Sequence, residues 1–337
     1  MSKVFIIAEA GVNHNGSLEM ALQLVDKAVE IGVDCVKFQT FKAEQIVTAS
    51  SPKANYQLEV TDRSESQLDM LKKLELDREA FRAIKAHCDK KAIRFLSTPY
   101  NPEDVDLLNS IGVDAFKIAS GQLVETPFLE YVAKFRKQMI VSTGMATIQE
   151  VKDAVEAIRR AGNNDIIILQ CNTDYPSRIE DTNIRAMLTM RDELKVRVGY
   201  SDHVPNNYAC YAAVALGAEV IEKHFTLDNN LPGPDHSSSL EPDAFRELIT
   251  GIRNIEKCLG DGIKKPSAAE VKNTFGMRRS LVAKTDLKKG TVLKAEHFGF
   301  KRPASGLSPK RLAEVLGKEL LIDLKKDEPL TESAVRL

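Results

Sequence analysis

The stretch "VIEKHFTLDNNLPGPDH" (residues 220–236) begins as a buried strand would, with Val220, Ile221 and Phe225, yet places Glu222, Lys223 and His224 between them. Core strands seldom hold three ionisable side chains unless chemistry needs them. His224, the His203 of "GYSDH" and the acids Glu9 and Asp235 form a set in which two neutral imidazoles and an oxygen would bind a divalent transition metal. The two histidines form no local metal motif, so core or acid/base histidines are the alternative unless the fold joins the strand ends.

Other short apolar runs end in polar residues of a related kind. Lys37 and Gln39 lie in "CVKFQT", Ser97 and Thr98 in "IRFLSTP", Lys117 and Ser120 in "AFKIASG" with Gln122 beyond, and Ser142 and Thr143 in "MIVSTG". Asn172, Thr173 and Tyr175 follow "IIILQC", Ser201 precedes His203, and Asn13 and His14 follow the first run. Lysines, hydroxyls and amides together suit a small anion carrying phosphate and carboxylate. The plainer readings are a strand lysine paired with a neighbouring carboxylate and a serine that caps the next helix.

These residues converge only if the runs lie side by side. Strand candidates fall at 4–11, 35–40, 93–99, 115–121, 139–144, 166–171, 197–202 and 220–226. Amphipathic stretches at 17–32, 102–112, 147–162 and 206–217 separate them, several ending in the glycine that helix C-termini favour. Eight strand–helix units in about 250 residues predict an α/β fold of the (β/α)8 TIM-barrel type, whose C-terminal strand ends share one pocket. An open doubly wound sheet is the alternative, against which no G-x-G-x-x-G follows the first strand. The longest connection, 41–67, follows the second strand on the pocket face, where lids and substrate loops sit.

The domain reading is a barrel over 1–265, a linker over 266–280 and a small module of turns and short strands over 281–337. Within the module "DLKKGTVL" (286–293) and "DLKKDEPL" (323–330) echo each other, as an internal repeat or as two similar turns. With 47 basic and 48 acidic residues, the chain has no footprint for nucleic acid. Its first apolar run, about five residues, is too short for a signal core or membrane span, so a cytoplasmic protein without membrane contact is expected. Five scattered cysteines without a C-x-x-C pair read as structural thiols.

The motifs "IIAEAGVNHNGS", "VKFQTFKAE", "KANYQ", "FLSTP", "KIASG", "STGMATI", "NTDYP", "GYSDH", "EKHFTLDNNLPGPDH" and "KRPASGLSP" together resemble the bacterial sialic acid synthases, across nearly the whole chain. The resemblance implies a barrel followed by an antifreeze-like (SAF) domain in a domain-swapped homodimer. It implies condensation of phosphoenolpyruvate with an N-acetylated mannose-type sugar and a divalent metal, Mn2+ foremost, with Mg2+ or Co2+ as alternatives. His203 and His224 match the metal ligands, Glu9 and Asp235 the acids near metal and sugar, and Lys37 and Lys117 the partners of the substrate carboxylate. Thr98, Ser120, Ser142, Asn172 and Thr173 match the phosphate shell, Tyr175 lies beside the sugar, and Gln39 joins the substrate set. Arg302 matches the arginine that reaches the partner subunit's site.

Two positions depart from the family pattern: Gln122 stands where an acid is common, and Gln170 where a histidine is common. A glutamine transfers no proton, which puts any acid/base work at Gln122 in question. The leading expectation is N-acetylneuraminate synthase, with legionaminate synthase acting on 2,4-diacetamido-2,4,6-trideoxymannose as the alternative. A Schiff-base aldolase using Lys117 or Lys223, and an inactive sugar-binding barrel, are the more distant readings.

Overall fold

The computed structural model describes residues 3–337, the side chains of 55, 56 and 59 excepted. Eight parallel strands form one sheet: β1 (Phe5–Gly11), β2 (Cys35–Thr40), β3 (Arg94–Pro99), β4 (Ala115–Ile118), β5 (Gln138–Ser142), β6 (Ile166–Cys171), β7 (Arg197–Asp202) and β8 (Val220–His224). The hydrogen-bonded order is β3-β2-β1-β8-β7-β6-β5-β4, and the end strands β3 and β4 lie side by side, which brings the barrel nearly to closure. The first helix is α1 (Leu18–Ile31); Ser17 caps its start by accepting from the Met20 N–H, and Gly32 ends it at φ 82°, as the sequence pattern predicts.

The connection after β2 folds into three short helices, α2 (Ala43–Ile46), α3 (Asn55–Val60) and α4 (Gln67–Lys73). The remaining outer helices are α5 (Arg78–Lys90), α6 (Pro102–Ser110), α7 (Thr126–Ala133), α8 (Ile148–Arg160), α9 (Arg185–Leu194), α10 (Tyr208–Ala215) and α11 (Pro242–Leu259). Among the described residues no helix is long and apolar enough to cross a membrane.

Because successive strand side chains face opposite ways, two cores form. Ile7, Cys35, Leu96, Ala115, Ile140, Ile167, Leu169 and Val220 fill the barrel. Ile6, Val36, Phe95, Phe116, Ile168 and Ile221 face the helices instead. The inward rows continue toward the C-terminal strand ends, where the apolar filling gives way to polar side chains.

A second unit spans Asp261–Leu337. It opens with α12 (Ala268–Met277), within the stretch read as a linker, and pairs β9 (Ser280–Ala283) antiparallel with β10 (Phe298–Lys301). The short helix α13 (Leu312–Val315) follows. Leu281, Leu293, Leu307, Val315, Leu320 and Leu330 form its own core. The two similar octamers pair with each other here. Leu287 and Leu324 exchange backbone hydrogen bonds of 2.8 and 2.9 Å. Asp286 accepts from the Lys326 N–H and pairs with Lys325, while Asp323 accepts from the Lys289 N–H and pairs with Lys288. Gly290 (φ 84°) and Asp327 (φ 68°) hold the matching left-handed position of each turn.

Candidate active site

A cavity of about 470 Å³ opens at the C-terminal strand ends. Its floor is a buried charge cluster built from inward-facing positions of neighbouring strands. Lys37 on β2 lies 2.7 Å from Glu9 Oε2 on β1 and 3.7 Å from Glu222 Oε1 on β8. Lys117 on β4 reaches the same Glu222 oxygen at 3.5 Å and donates to Ser142 Oγ at 2.7 Å. Lys37 also donates to Thr98 Oγ1 at 3.2 Å, Gln39 donates to Glu9 Oε1 at 3.3 Å, and Ser201 donates to Glu222 Oε1 at 3.2 Å.

Glu222 is the hinge of the electrostatics. Burial favours its neutral acid, yet Lys117 and Lys37 outweigh burial and hold its pKa down. Burial likewise disfavours the Lys37 ammonium, but Glu222 and Glu9 overcome it and raise its pKa. At Lys117 burial wins and the pKa falls. Glu9, desolvated and opposed only in part by Lys37, is pushed up to about 7, and burial pushes Asp235 up to about 6. The floor therefore holds two lysines against one firmly ionised carboxylate and one that titrates near neutrality.

At the β7 and β8 ends His203 and His224 approach with ring centroids 5.2 Å apart, and the Tyr175 ring lies 4.0 Å from His203. His203 Nδ1 meets the Asn172 carbonyl at 2.5 Å; a carbonyl only accepts, so Nδ1 carries a hydrogen and Nε2 is the nitrogen left for a ligand. His224 Nδ1 is buried with no hydrogen-bond partner in the described structure, 3.9 Å from Asp235 Oδ2. Burial, then His203 and the lysines, keep His224 neutral by lowering its pKa well below the ordinary value. Burial disfavours the His203 cation, but Cys171 and the Asn172 carbonyl outweigh it and raise its pKa. A borderline divalent cation would therefore take these two imidazoles, one with an orphaned nitrogen, by displacing a proton from His203. Among the described residues no group of three or more His, Cys, Asp or Glu side chains is placed to enclose an ion, so the protein offers two nitrogens and leaves other positions open.

Ser120 and Gln122 stand in a tight turn after β4, and Ser120 Oγ accepts from the Gly144 N–H at 2.9 Å. A methyl group added at Gly144 would run into Thr173 Oγ1 and Ser120 Oγ, so only glycine lets these hydroxyls close in. Gln122 lines the cavity, but both ends of its amide engage backbone: Nε2 donates to the Tyr100 carbonyl and Oε1 accepts from the Ala119 N–H.

Several expectations need correction. The Asn172 side chain turns away from the cavity and donates to the Asp181 carbonyl, so Asn172 acts on the site through its own carbonyl on His203. Lys223 faces the helix layer, where it forms a buried ion pair with Asp202 and donates to the carbonyls of Val204 and Asn206. It is no nucleophile of this pocket. Gln170 also faces outward and donates to the Thr182 carbonyl, so its departure from the family pattern lies outside the site. Asn13, His14, Ser97 and Thr143 are turned into supporting contacts as well. Arg302 belongs to the second unit, where its Nε donates to the Met277 carbonyl.

Glu222 and Cys171 line the cavity and were not among the candidates. The period of two along a strand carries the missing signal: if His224 faces inward, so does Glu222, and Lys223 cannot.

Residues 24–264 match the NeuB family and residues 278–336 match the SAF domain. The chain belongs to the NeuB family, the sialic acid synthases. It is 48% identical to the N,N'-diacetyllegionaminic acid synthase of Campylobacter jejuni, over 98% of this chain and 100% of that one. It is 41% identical to the enzyme of the same name from Legionella pneumophila, over 95% and 91% of the two chains. The crystal structure of the N-acetylneuraminic acid synthetase of Leptospira borgpetersenii superposes with a TM-score of 0.72 at 33% identity, covering 81% of this chain and 90% of that one. This NeuB-family chain is thus a barrel synthase with a SAF domain, as the motifs lead one to expect.

Proposed function

We propose that this enzyme condenses phosphoenolpyruvate with 2,4-diacetamido-2,4,6-trideoxymannose, releasing phosphate and forming an N,N'-diacetyllegionaminate. The leading sequence-based expectation was N-acetylneuraminate. The relatives at 48% and 41% identity, both named for the diacetylated acid, favour the other acceptor. The observation that carries the condensation is the buried pair Lys37 and Lys117 on the pocket floor beside hydroxyl donors, a counter-charge for one small dianion or trianion.

In this reading Lys37 and Lys117 hold the carboxylate, and Thr98, Ser120, Ser142 and Thr173 hold the phosphate. His203 and His224 would hold a divalent cation, which when bound polarises the acceptor's aldehyde. The C3 carbon of phosphoenolpyruvate attacks that aldehyde carbon, forming the C–C bond and leaving positive charge at C2. Water adds at C2, and the tetrahedral product loses phosphate by C–O cleavage. Glu9, with its pKa near 7, is placed to take a proton at neutral pH and give it back. Gln122 positions backbone and moves no proton. Arg302 from a swapped partner subunit completes the sugar site in this proposal, and sugar KM in Arg302→Ala is its measure.

The test is phosphate release and product mass from metal-stripped protein given phosphoenolpyruvate, Mn2+ and either sugar. Metal-dependent product from the diacetamido sugar is expected. Product from N-acetylmannosamine alone overturns the choice of acceptor, and no phosphate from either overturns the reaction.

A further inference from the structure

The same cavity has a second kind of wall. Phe41, Ile46, Met70, Leu71 and Leu74, all from the connection between β2 and α5, line it together with the amides Gln57 and Gln67. The strand ends supply charge and hydroxyls, whereas this connection supplies aliphatic surface and two amides. Phe41 and Leu74 pack with Val12 into a small separate cluster, against which Ile46, Leu71 and Tyr100 rest half-buried. The Phe41 and Tyr100 rings meet edge to face with centroids 6.0 Å apart. Lys53 stakes the connection from behind: its buried ammonium donates to the Thr61 hydroxyl at 3.0 Å and the Asp62 carbonyl at 2.8 Å, and it pairs with Glu65. Gln67 Nε2 meets Gln57 Oε1 at 3.4 Å, and Gln57 Oε1 also accepts from the Ala54 N–H at 3.0 Å.

A wall of this composition is poorly matched to a hydroxymethyl group, whose hydroxyl would be buried against Ile46 and Leu71 without a partner. It matches methyl groups beside amides. We infer that the β2–α5 connection selects the acceptor sugar, Ile46 and Leu71 receiving the C6 methyl of a 6-deoxy sugar and Gln67 an acetamido group. This deepens the function proposed above and rests on it. Selectivity of this kind follows from the penalty on the wrong sugar as much as from contact with the right one.

The experiment compares kcat/KM for the two sugars in wild type, Ile46→Thr, Leu71→Gln and Gln67→Leu, with phosphoenolpyruvate affinity as a control on the distant subsite. Burying one methyl is worth about 0.8 kcal/mol, roughly a fourfold effect. Ile46→Thr and Leu71→Gln should each shift the preference toward N-acetylmannosamine by about fourfold to tenfold, phosphoenolpyruvate affinity staying within twofold. Gln67→Leu should raise KM for the diacetamido sugar more than it lowers kcat. If wild type turns over neither sugar, the proposed reaction fails and the wall has no substrate to select. If wild type prefers the diacetamido sugar and no variant moves the ratio, the reaction stands and the wall's role is overturned. A variant that loses phosphoenolpyruvate binding has lost its fold, and Ile46→Val with Leu71→Met then carry the comparison, a shift in the ratio supporting the inference and its absence overturning it.

Discussion

Lys223 and Glu222 are neighbours in the chain and serve opposite faces of the barrel wall. Glu222 balances the two floor lysines, while Lys223 neutralises Asp202 behind the strand, where Tyr200 and Cys210 also point at that carboxylate. Removing one partner of a buried ion pair strands the other, at about 3–5 kcal/mol. Lys223→Met should therefore lower unfolding free energy by about that amount in a urea titration. The double variant Lys223→Met, Asp202→Asn should recover much of the loss, because no bare charge remains. Activity per folded molecule should survive in both, and its abolition in the folded double variant would return Lys223 to the chemistry. The residue types of the site were legible because lysine and histidine at strand ends have few other uses. Their direction is not legible while each strand is read as a unit: Lys223 then stands as a possible nucleophile beside Glu222, although alternation from His224 separates them.

Two loops, not strands, decide where Asp235 sits. Asn13 in the loop after β1 donates to the Phe225 carbonyl and to Ser239 Oγ, and Ser239 in turn donates to the Asp235 carbonyl. His14 lies buried in the same loop, accepting from the Gly16 N–H, while His236 engages Thr226 and Asn15. Burial, with each ring near the other, lowers the pKa of His14 to about 4, and burial lowers that of His236 to about 4. These histidines fold neutral, so the unfolded chain takes up their protons first. Their stabilisation is complete above pH 6.5 and is lost as pH falls toward 4. Glu9 and Asp235 work the other way, since their raised pKa values relieve strain on acidification. The histidine effect is thus best read as a difference: between pH 7.5 and 5, wild type should lose roughly 2 kcal/mol more than His14→Gln. Equal losses would mean that His14 is already free to protonate. The strand and helix bounds of the barrel were legible because apolar runs and glycine caps mark them. This loop-to-loop latch was not, because its partners stand more than two hundred residues apart and no periodicity links them.

At the scale of the molecule, the barrel and the second unit each close their own core. In the second unit the pairing of the octamers explains why so small a core closes. Leu287 and Leu324 exchange hydrogen bonds at the centre, and each turn's aspartate holds the other turn's backbone. The repeat was visible as sequence, but only the fold shows that the copies are partners, since an echo of eight residues fits two separate turns equally well. The pairing makes the two leucines equivalent in role. Leu287→Ala and Leu324→Ala should each remove about 2–4 kcal/mol, the ordinary cost of truncating a buried leucine. Calorimetry of the full chain should show the transition of the second unit moving down alike in both variants, with the barrel's transition in place. Movement of both transitions together would mean that the two units fold as one cooperative body. Unequal shifts would mean that the octamers, though matched in sequence, are not matched in load.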